Sequence, residues 1–270
     1  MSQRWLDVAY IVRSWTASNW NSKTVTISAV VTATGAALVL YLWKRGRRVD
    51  DNTQDNTLVQ YDRRMTKRKR RLFDELKSLK DARGDGRLEI LEIGCCDGIN
   101  FQYYPDGSEV ICTDPDSSVE AALYESVRHH AGVKISAFHA VSAENVREVQ
   151  SGSVDVVVST LVLCTVVDPD QCLREIIRVL KPGGKFFFLE HVKAPPRYYV
   201  VRMFQVLFDF AWSIRFYGCH VIRRTQDHIQ KAGFSTVNVE AFEANELMKP
   251  TKLQTGVCLM RSHISGTATK

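Results

Sequence analysis

The sequence lacks the motifs of three common kinds of binding site. In the turn LEIGCCDG, residues 91–98, cysteine stands at position 96 and isoleucine follows at position 99, where a dinucleotide-binding GxGxxG turn needs glycine. No Gly-Lys-Ser/Thr follows the turn, which excludes a P-loop. The seven cysteines show no metal-ligand spacing, and Cys95 and Cys96 are adjacent rather than a CxxC pair. The sequence therefore predicts reduced, packed thiols and no metal site.

Excess charge is also absent outside one short region. Residues 44–71 hold 11 Lys and Arg against 4 Asp, a surplus that exceeds the formal net charge of +6 for the whole chain. The rest of the chain is close to neutral, so we expect no nucleic-acid partner. No internal repeat or low-complexity tract appears, and 270 residues suffice for one catalytic domain plus an additional segment.

A membrane-anchoring helix is predicted near the N-terminus. Residues 24–43 contain no charged side chain, and a helix of this length rises about 30 Å, the thickness of one hydrocarbon core. A basic cluster at residues 44–48 follows at once, which places the large domain in the cytosol. A cleaved signal peptide is one alternative, although the apolar run is long for it. A monotopic anchor, or a hairpin with the apolar residues 5–12, is another.

The chain is expected to have three parts. We predict an N-terminal anchor with its basic flank over residues 1–48, a polar and basic linker over 49–71, and a catalytic domain over 72–270. The basic run RRMTKRKRR, residues 63–71, fits either a solvated helix face or a contact with anionic lipid headgroups.

Short apolar segments alternate with helical patterns from residue 88 onward. This alternation predicts an α/β fold with a mainly parallel, doubly wound sheet. No helical segment separates the last two strands, which predicts an antiparallel hairpin at one edge of the sheet. The seven predicted strands cover residues 88–94, 109–114, 133–141, 154–163, 184–192, 235–242 and 255–262.

The turn after the first strand and the tip of the second indicate a site for a nucleoside cofactor. Ligands of such sheets bind at the carboxyl ends of the strands. The turn reads E-x-G-x-x-x-G from Glu92 through Gly94 to Gly98, and Asp114 ends the second strand. A carboxylate at that tip can accept hydrogen bonds from both ribose hydroxyls. A capping role before Pro115 is the alternative for Asp114.

Several segments resemble the class I S-adenosylmethionine-dependent methyltransferases. More narrowly, they resemble the membrane-anchored subfamily whose mammalian members methylate alkyl thiols at the endoplasmic reticulum and lipid droplets. The resemblance covers roughly residues 60–262 and implies a Rossmann-like seven-stranded sheet, S-adenosyl-L-methionine as cofactor and a small lipophilic thiol as acceptor. The segments that carry it are EIGCCDGINF (92–101), ICTDP (111–115), AENV (143–146), STLVLC (159–164), FFFLEHV (186–192) and YGCH (217–220).

The same resemblance assigns the cofactor contacts residue by residue. It places Glu92, Gly94 and Gly98 under the methionine part of the cofactor and Asp114 at the ribose. Cys96 occupies the middle of the turn, where a glycine is usual because the backbone can require a positive φ there. The remaining assigned positions are Ala143, Glu144 and Asn145 beside the adenine, and Thr160 and Leu161 at the methyl end. Glu144 also fits an ordinary carboxylate at a helix start.

Three side chains are candidates for a catalytic base. Methyl transfer from a sulfonium is an in-line displacement, and a thiol acceptor must also lose its proton. His191 ends the fifth predicted strand, His220 is adjacent to Cys219, and Asp209 lies on an apolar helical stretch. Each of the three also fits a structural role.

An aromatic segment follows the fifth strand. Residues 197–217 hold 8 of the 26 aromatic side chains, which fits either a core helix on the sheet or an apolar lid that also touches the bilayer. The sequence thus favours a thiol S-methyltransferase anchored at the endoplasmic reticulum or lipid droplet. The alternatives are methyl transfer to oxygen, nitrogen or carbon of a lipid or quinone, or a non-catalytic membrane protein with a degenerate site.

Overall fold

The computed structural model describes residues 51–244 and 258–270, nearly all of which belong to one unit, residues 55–270. The α-helices in these residues are α1 (Asp51–Arg83), α2 (Glu120–Val127), α3 (Pro169–Val179), α4 (Tyr199–Arg215) and α5 (Thr225–Lys231). The strands are β1 (Leu88–Ile93), β2 (Ser108–Thr113), β3 (Val133–His139), β4 (Val154–Thr160), β5 (Leu180–His191), β6 (Thr236–Glu243) and β7 (Ser262–Thr269).

The predicted anchor, residues 24–43, lies outside the described residues. None of the described helices combines the length and the apolar character needed to span a bilayer.

The strands form one seven-stranded sheet in the order β3-β2-β1-β4-β5-β7-β6. The first five strands are parallel, whereas β7 runs antiparallel to both β5 and β6. This confirms the predicted doubly wound, Rossmann-like sheet with an antiparallel pair of strands at one edge. The strand order reverses between β1 and β4, so the carboxyl ends of these two strands mark the expected ligand site.

Both faces of the sheet are buried, which explains the continuous apolar runs in the central strands. Within β5, Phe186 and Phe188 point into one core, and Phe187 points into the core on the opposite face. The same alternation separates Leu91 from Ile90 in β1. Residues i and i+2 therefore share a face, as a strand requires.

The last strand lies later in the chain than predicted. The apolar pattern at 255–262 suggested a strand there, but β7 begins at Ser262 and consists mostly of small and polar residues. This sequence forms a strand because β7 lies between β5 and β6 and bonds to both. A Cβ at Gly266 would lie 1.9 Å from the Asn238 carbonyl oxygen, so the close pairing with β6 requires glycine. Leu259, part of the apolar pattern, packs beside α4 instead.

The segment predicted as a linker, residues 49–71, is helical from residue 51 and continues into the domain. Tyr61 and Met65 are buried at a spacing of one helical turn, and Lys69 is buried one turn later. The Lys69 ammonium donates to Asp62 Oδ1 at 2.6 Å and to Asn100 Oδ1 at 2.9 Å. The sequence pattern was misleading because exposed charges interrupt the buried stripe. Residues 61–71 are thus part of the folded domain, beside the turn after β1.

Candidate functional site

The turn after β1 has a left-handed backbone at three of its residues. Gly94, Cys96 and Gly98 have φ values of 61°, 45° and 76°. The two glycines are also sterically required, since a Cβ at Gly94 would lie 2.5 Å from Val162 Cγ2 and one at Gly98 would lie 2.4 Å from Phe101 Cε2. The turn therefore packs tightly against the segment after β4 and against its own following helical turn.

Asp114 lies at the tip of β2, across from this turn, and its side chain is buried. Its Oδ2 accepts a hydrogen bond from the Cys96 N–H at 3.2 Å, and its Oδ1 accepts one from the Asp116 N–H at 3.0 Å. Each carboxylate oxygen keeps a further lone pair, which suits two vicinal hydroxyl donors. The residue combines the local turn role with the geometry expected of a ribose ligand.

The loop after β3 holds Glu144 by backbone contacts. Its Oε1 accepts from the Val167 N–H at 2.7 Å, and its Oε2 is bonded to the Ser142 hydroxyl. Desolvation opposes ionisation, but these hydrogen bonds outweigh it and lower the pKa of Glu144. The carboxylate supports the chain just before α3, but no helix begins at Glu144 itself, so the structure does not bear out the helix-start alternative. Ala143 packs in the core and Asn145 is exposed; their contacts with adenine stay predictions.

The segment after β4 is strained beside the turn. Thr160 ends the strand and its hydroxyl accepts from Asn100 Nδ2 at 3.0 Å. Leu161 follows with φ of 60°, a left-handed conformation that is rare for a branched side chain. Among the described residues, Cys96, Leu161 and Tyr217 are the non-glycine residues with positive φ. Backbone strain of this kind costs on the order of 1–3 kcal/mol per residue and concentrates at functional sites.

His191 is fully buried and pairs with a cysteine. Its Nε2 lies 2.8 Å from Cys219 Sγ, and the Trp212 indole N–H donates to the same sulfur at 3.3 Å. Hydrogen bonding from Cys164, together with His191, lowers the pKa of Cys219 to about 4 although burial opposes this. Burial likewise opposes protonation of His191, yet the Cys219 thiolate raises its pKa. The sequence did not predict a functional role for Cys219, and the one feature that pointed to it was its position in the segment YGCH, residues 217–220.

Asp209 and His220 form a second pair. His220 Nδ1 lies 2.8 Å from Asp209 Oδ2, and the Ile222 N–H donates to Asp209 Oδ1 at 3.3 Å. Asp209 is buried, whereas the His220 side chain is about a third exposed (36%). The backbone N–H of His220 donates to the Cys164 carbonyl at 2.9 Å, so the pair adjoins the segment after β4. A carboxylate that orients an imidazole is the arrangement of a general base.

Comparison with known proteins identifies the family. A family model described as a methyltransferase domain matches residues 91–188. The chain is 39% identical to the thiol S-methyltransferase TMT1A of Homo sapiens over 212 residues, which is 78% of this chain and 82% of that protein. The chain belongs to the thiol S-methyltransferase family.

Solved structures show how widely the fold of this thiol S-methyltransferase family member occurs. A SAM-dependent methyltransferase from Methanosarcina mazei is 19% identical, with a TM-score of 0.51 over 68% of this chain and 92% of that one. The [4+2]-cyclase SpnF is 18% identical, with a TM-score of 0.52 over 74% of this chain and 80% of that one. Since a cyclase shares the fold, these likenesses establish architecture alone.

The cofactor of this thiol S-methyltransferase family member is S-adenosylmethionine, and the described residues fit it. The buried Asp114 carboxylate has acceptor oxygens of the kind that ribose hydroxyls need, and the left-handed turn brings backbone close to the strand tips. Cys96 fits the pattern because its backbone adopts the conformation usual for glycine and its N–H fixes Asp114. The cysteine thus perturbs the turn without removing its hydrogen bonds.

Replacement of Cys96 by glycine should stabilise the protein slightly. Glycine adopts φ of 45° without the steric cost that a Cβ brings. Glycine also raises the entropy of the unfolded chain, so the expected net gain in the free energy of unfolding is about 1 kcal/mol or less. We expect Cys96→Gly to raise the melting temperature by a few degrees and to leave cofactor affinity within about threefold, because the N–H to Asp114 is kept. Cys96→Ala retains the Cβ and is the matched control; equal melting temperatures for the two variants would contradict the strain assigned to this residue.

Glu92 should make stability depend on pH. Its carboxyl is buried, and accepts from Asn100 Nδ2 at 2.7 Å and from the Tyr104 hydroxyl at 2.8 Å. Burial outweighs these bonds and raises the pKa of Glu92 from 4.5 to about 7. Because the folded state holds the proton more tightly than the unfolded state, stability falls as pH rises from about 4.5 to about 7, by roughly 3 kcal/mol at most.

Glu92→Gln removes this ionisation. Relative to the parent chain, its melting temperature should be similar at pH 5 and several degrees higher at pH 8, in thermal melts without cofactor. Glu89→Gln, a change of the same kind on the same strand, serves as control. A difference between Glu92→Gln and parent that does not vary with pH would show that Glu92 is ionised throughout this range.

Proposed function

We propose that this chain transfers the methyl group of S-adenosylmethionine to the sulfur of small, lipophilic alkyl thiols. The observation that carries this proposal is the 39% identity to a protein named thiol S-methyltransferase, over 82% of that protein. The cofactor supplies an electrophilic methyl group on a sulfonium, so the protein mainly aligns the acceptor, keeps water away and takes up one proton.

The pair of Asp209 and His220 is suited to take the proton of the acceptor thiol. His220 is held by Asp209 through Nδ1, which leaves Nε2 directed away from the carboxylate. The pair is bonded to the segment after β4, whose residues Thr160 and Leu161 are predicted to lie at the methyl end of the cofactor. His191 is less suited, because its Nε2 is engaged by Cys219 in a buried ion pair.

An exposed apolar face supports a lipophilic acceptor. Among the described residues, nine of the eleven large apolar side chains that are exposed lie on or beside α4. A groove of about 470 Å³ lies along this helix and is lined mainly by apolar side chains, together with Lys193 and Arg202. The nine are Tyr199, Val200, Met203, Phe204, Val206, Leu207, Phe210, Ile214 and Tyr217. An α4 face of this kind suits contact with lipid, from which an alkyl thiol would reach the site.

We further propose that residues 1–48 attach the protein to the endoplasmic reticulum or lipid droplets, with the domain facing the cytosol. The uncharged run at 24–43, its basic flank at 44–48 and the apolar α4 face support this proposal. The double substitution Val31→Asp with Leu38→Arg costs about 5 kcal/mol of insertion free energy. It should move the full chain from the membrane pellet to the supernatant after alkaline extraction, while retention in the pellet would exclude this run as the anchor.

Methyl transfer to a panel of acceptors tests the activity. Full-length chain in detergent is incubated with S-adenosylmethionine labelled at its methyl group and with alkyl thiols, phenols, amines and quinones. We expect label in thioethers, with long-chain thiols preferred over short ones. If label appears only in products methylated at oxygen, nitrogen or carbon, the proposed thiol acceptor is wrong and that other class is the acceptor. If calorimetry detects no cofactor binding, the protein is a non-catalytic relative.

A further inference from the structure

Three side chains with metal-binding atoms meet beside the site. Cys164 follows β4, His191 ends β5 and Cys219 follows α4. One ligand atom from each lies within 4.8 Å of the others, and all three side chains are buried. The three residues come from separate parts of the chain, which explains why the spacing of cysteines in the sequence predicted no metal site.

The ligand set and its dimensions suit zinc. Zn²⁺ binds cysteine sulfur at about 2.3 Å and histidine nitrogen at about 2.0–2.1 Å, and tetrahedral geometry separates such donors by roughly 3.5–3.8 Å. In this cluster His191 Nε2 and Cys219 Sγ lie 2.8 Å apart, and the three donor atoms all lie within 4.8 Å of one another. Small side-chain rotations therefore suffice to place the three donors around one ion.

The surroundings of the cluster already stabilise negative sulfur. The Trp212 N–H donates to Cys219 Sγ at 3.3 Å, a contact of the kind that supports metal thiolates. A bound cation would replace the proton between His191 and Cys219 and the thiol proton of Cys164, so two protons would be released.

We propose that Cys164, His191 and Cys219 bind one Zn²⁺ ion and leave its fourth position to the sulfur of the acceptor thiol. Three protein ligands with an open position are typical of catalytic rather than structural zinc sites. Cys164 Sγ donates to the Leu161 carbonyl at 3.3 Å, which places the cluster next to the predicted methyl end of the cofactor.

The role of the open position rests on the proposed function. A thiol that coordinates zinc would pass its proton to the imidazole of the Asp209–His220 pair and would stay a thiolate at neutral pH. Its sulfur then forms the bond to the methyl carbon while the bond from that carbon to the sulfonium breaks, giving a thioether and S-adenosylhomocysteine. A neutral thioether is a weaker ligand than a thiolate and leaves the ion, which restores the open position.

Metal analysis of the full-length chain, purified in detergent under reducing conditions, tests the site. We expect about one zinc per chain, at least a tenfold loss of zinc affinity in Cys164→Ser and in Cys219→Ser, and no loss in Cys172→Ser, a buried core cysteine outside the cluster. Replacement of zinc by Co²⁺ should give thiolate-to-cobalt absorption and the strong visible bands of a tetrahedral site. Addition of an alkyl thiol should shift those bands, whereas the matching alcohol should not.

The outcomes separate the zinc site from the proposed activity. Absence of zinc in the parent chain, together with a Co²⁺ spectrum that lacks thiolate bands, would overturn the site and leave a hydrogen-bonded pair of thiolate and imidazolium. Cobalt bands that do not respond to thiol would overturn the open position. If the metal-free chain still methylates thiols at the parent rate, the inference fails and the proposed function stands. If zinc binds but thiols are not methylated, the function fails while the metal site stands.

Discussion

Asp114→Ala should weaken S-adenosylmethionine binding by at least about 100-fold. The carboxylate is expected to accept hydrogen bonds from two ribose hydroxyls, and each bond to a charged group contributes about 1.5–3 kcal/mol. The substitution also removes the acceptor that fixes the Cys96 N–H at 3.2 Å, so the turn itself becomes less ordered. Titration calorimetry on the full-length chain measures this change, and loss of methyl transfer at low cofactor concentration should accompany it.

Asp116→Ala is the matched control for this prediction. Asp116 lies two residues further along, is exposed, and its Oδ1 accepts from the Ser118 N–H at 2.9 Å. Its loss should change cofactor affinity less than twofold. Equal affinities for Asp114→Ala and the control would show that Asp114 has only the local turn role.

Asp209→Asn should reduce the turnover of thiol acceptors by about 100-fold and leave cofactor affinity unchanged. Asparagine can still accept the hydrogen bond from the Ile222 N–H, but it does not stabilise the positive imidazolium that forms when His220 takes a proton. The loss should therefore appear in kcat rather than in KM. Single-turnover methyl transfer with saturating cofactor measures it directly.

Asp170→Asn provides a control with the same chemistry elsewhere in the chain. Asp170 Oδ1 lies 2.6 Å from His228 Nδ1 in an aspartate–histidine pair between α3 and α5, and that carboxylate is exposed. The Asp170→Asn variant should turn over thiol acceptors at the rate of the parent chain. The double variant Asp209→Asn with His220→Gln should be no slower than the slower single variant, since the two residues act as a unit. Additive losses would mean that Asp209 and His220 act separately.

The strain at the strand tips links these predictions. Three residues have left-handed backbone: Cys96 lies in the turn after β1, Leu161 follows β4, and Tyr217 lies two residues before Cys219. Packing is tight near the first of these positions, because a Cβ at Gly94, two residues before Cys96, would lie 2.5 Å from Val162 Cγ2. The site is therefore held by tight packing of its loops, which suits a reaction that depends on alignment.

The sequence predicted the parts of the fold that depend on local pattern. Continuous apolar runs such as the one containing Phe186 report burial on both faces, and alternation with helices fixes a parallel sheet. The glycine turn and Asp114 could be identified because their spacing is local and each adjoins a strand end. Two errors arose where local pattern was misleading. Charges concealed the buried stripe of α1, and β7 is a strand because of its two neighbours rather than its polar sequence.

By itself, the sequence determined the fold class, the glycine turn after β1 and membership in a family of methyltransferases. Only the tertiary structure decided which distant side chains meet. It paired Asp209 with His220, assigned Glu144 to the backbone before α3, and brought Cys164, His191 and Cys219 together. The physical reason is that hydrophobic periodicity reports whether a residue is buried, whereas strand order and loop packing determine which residues it is buried against.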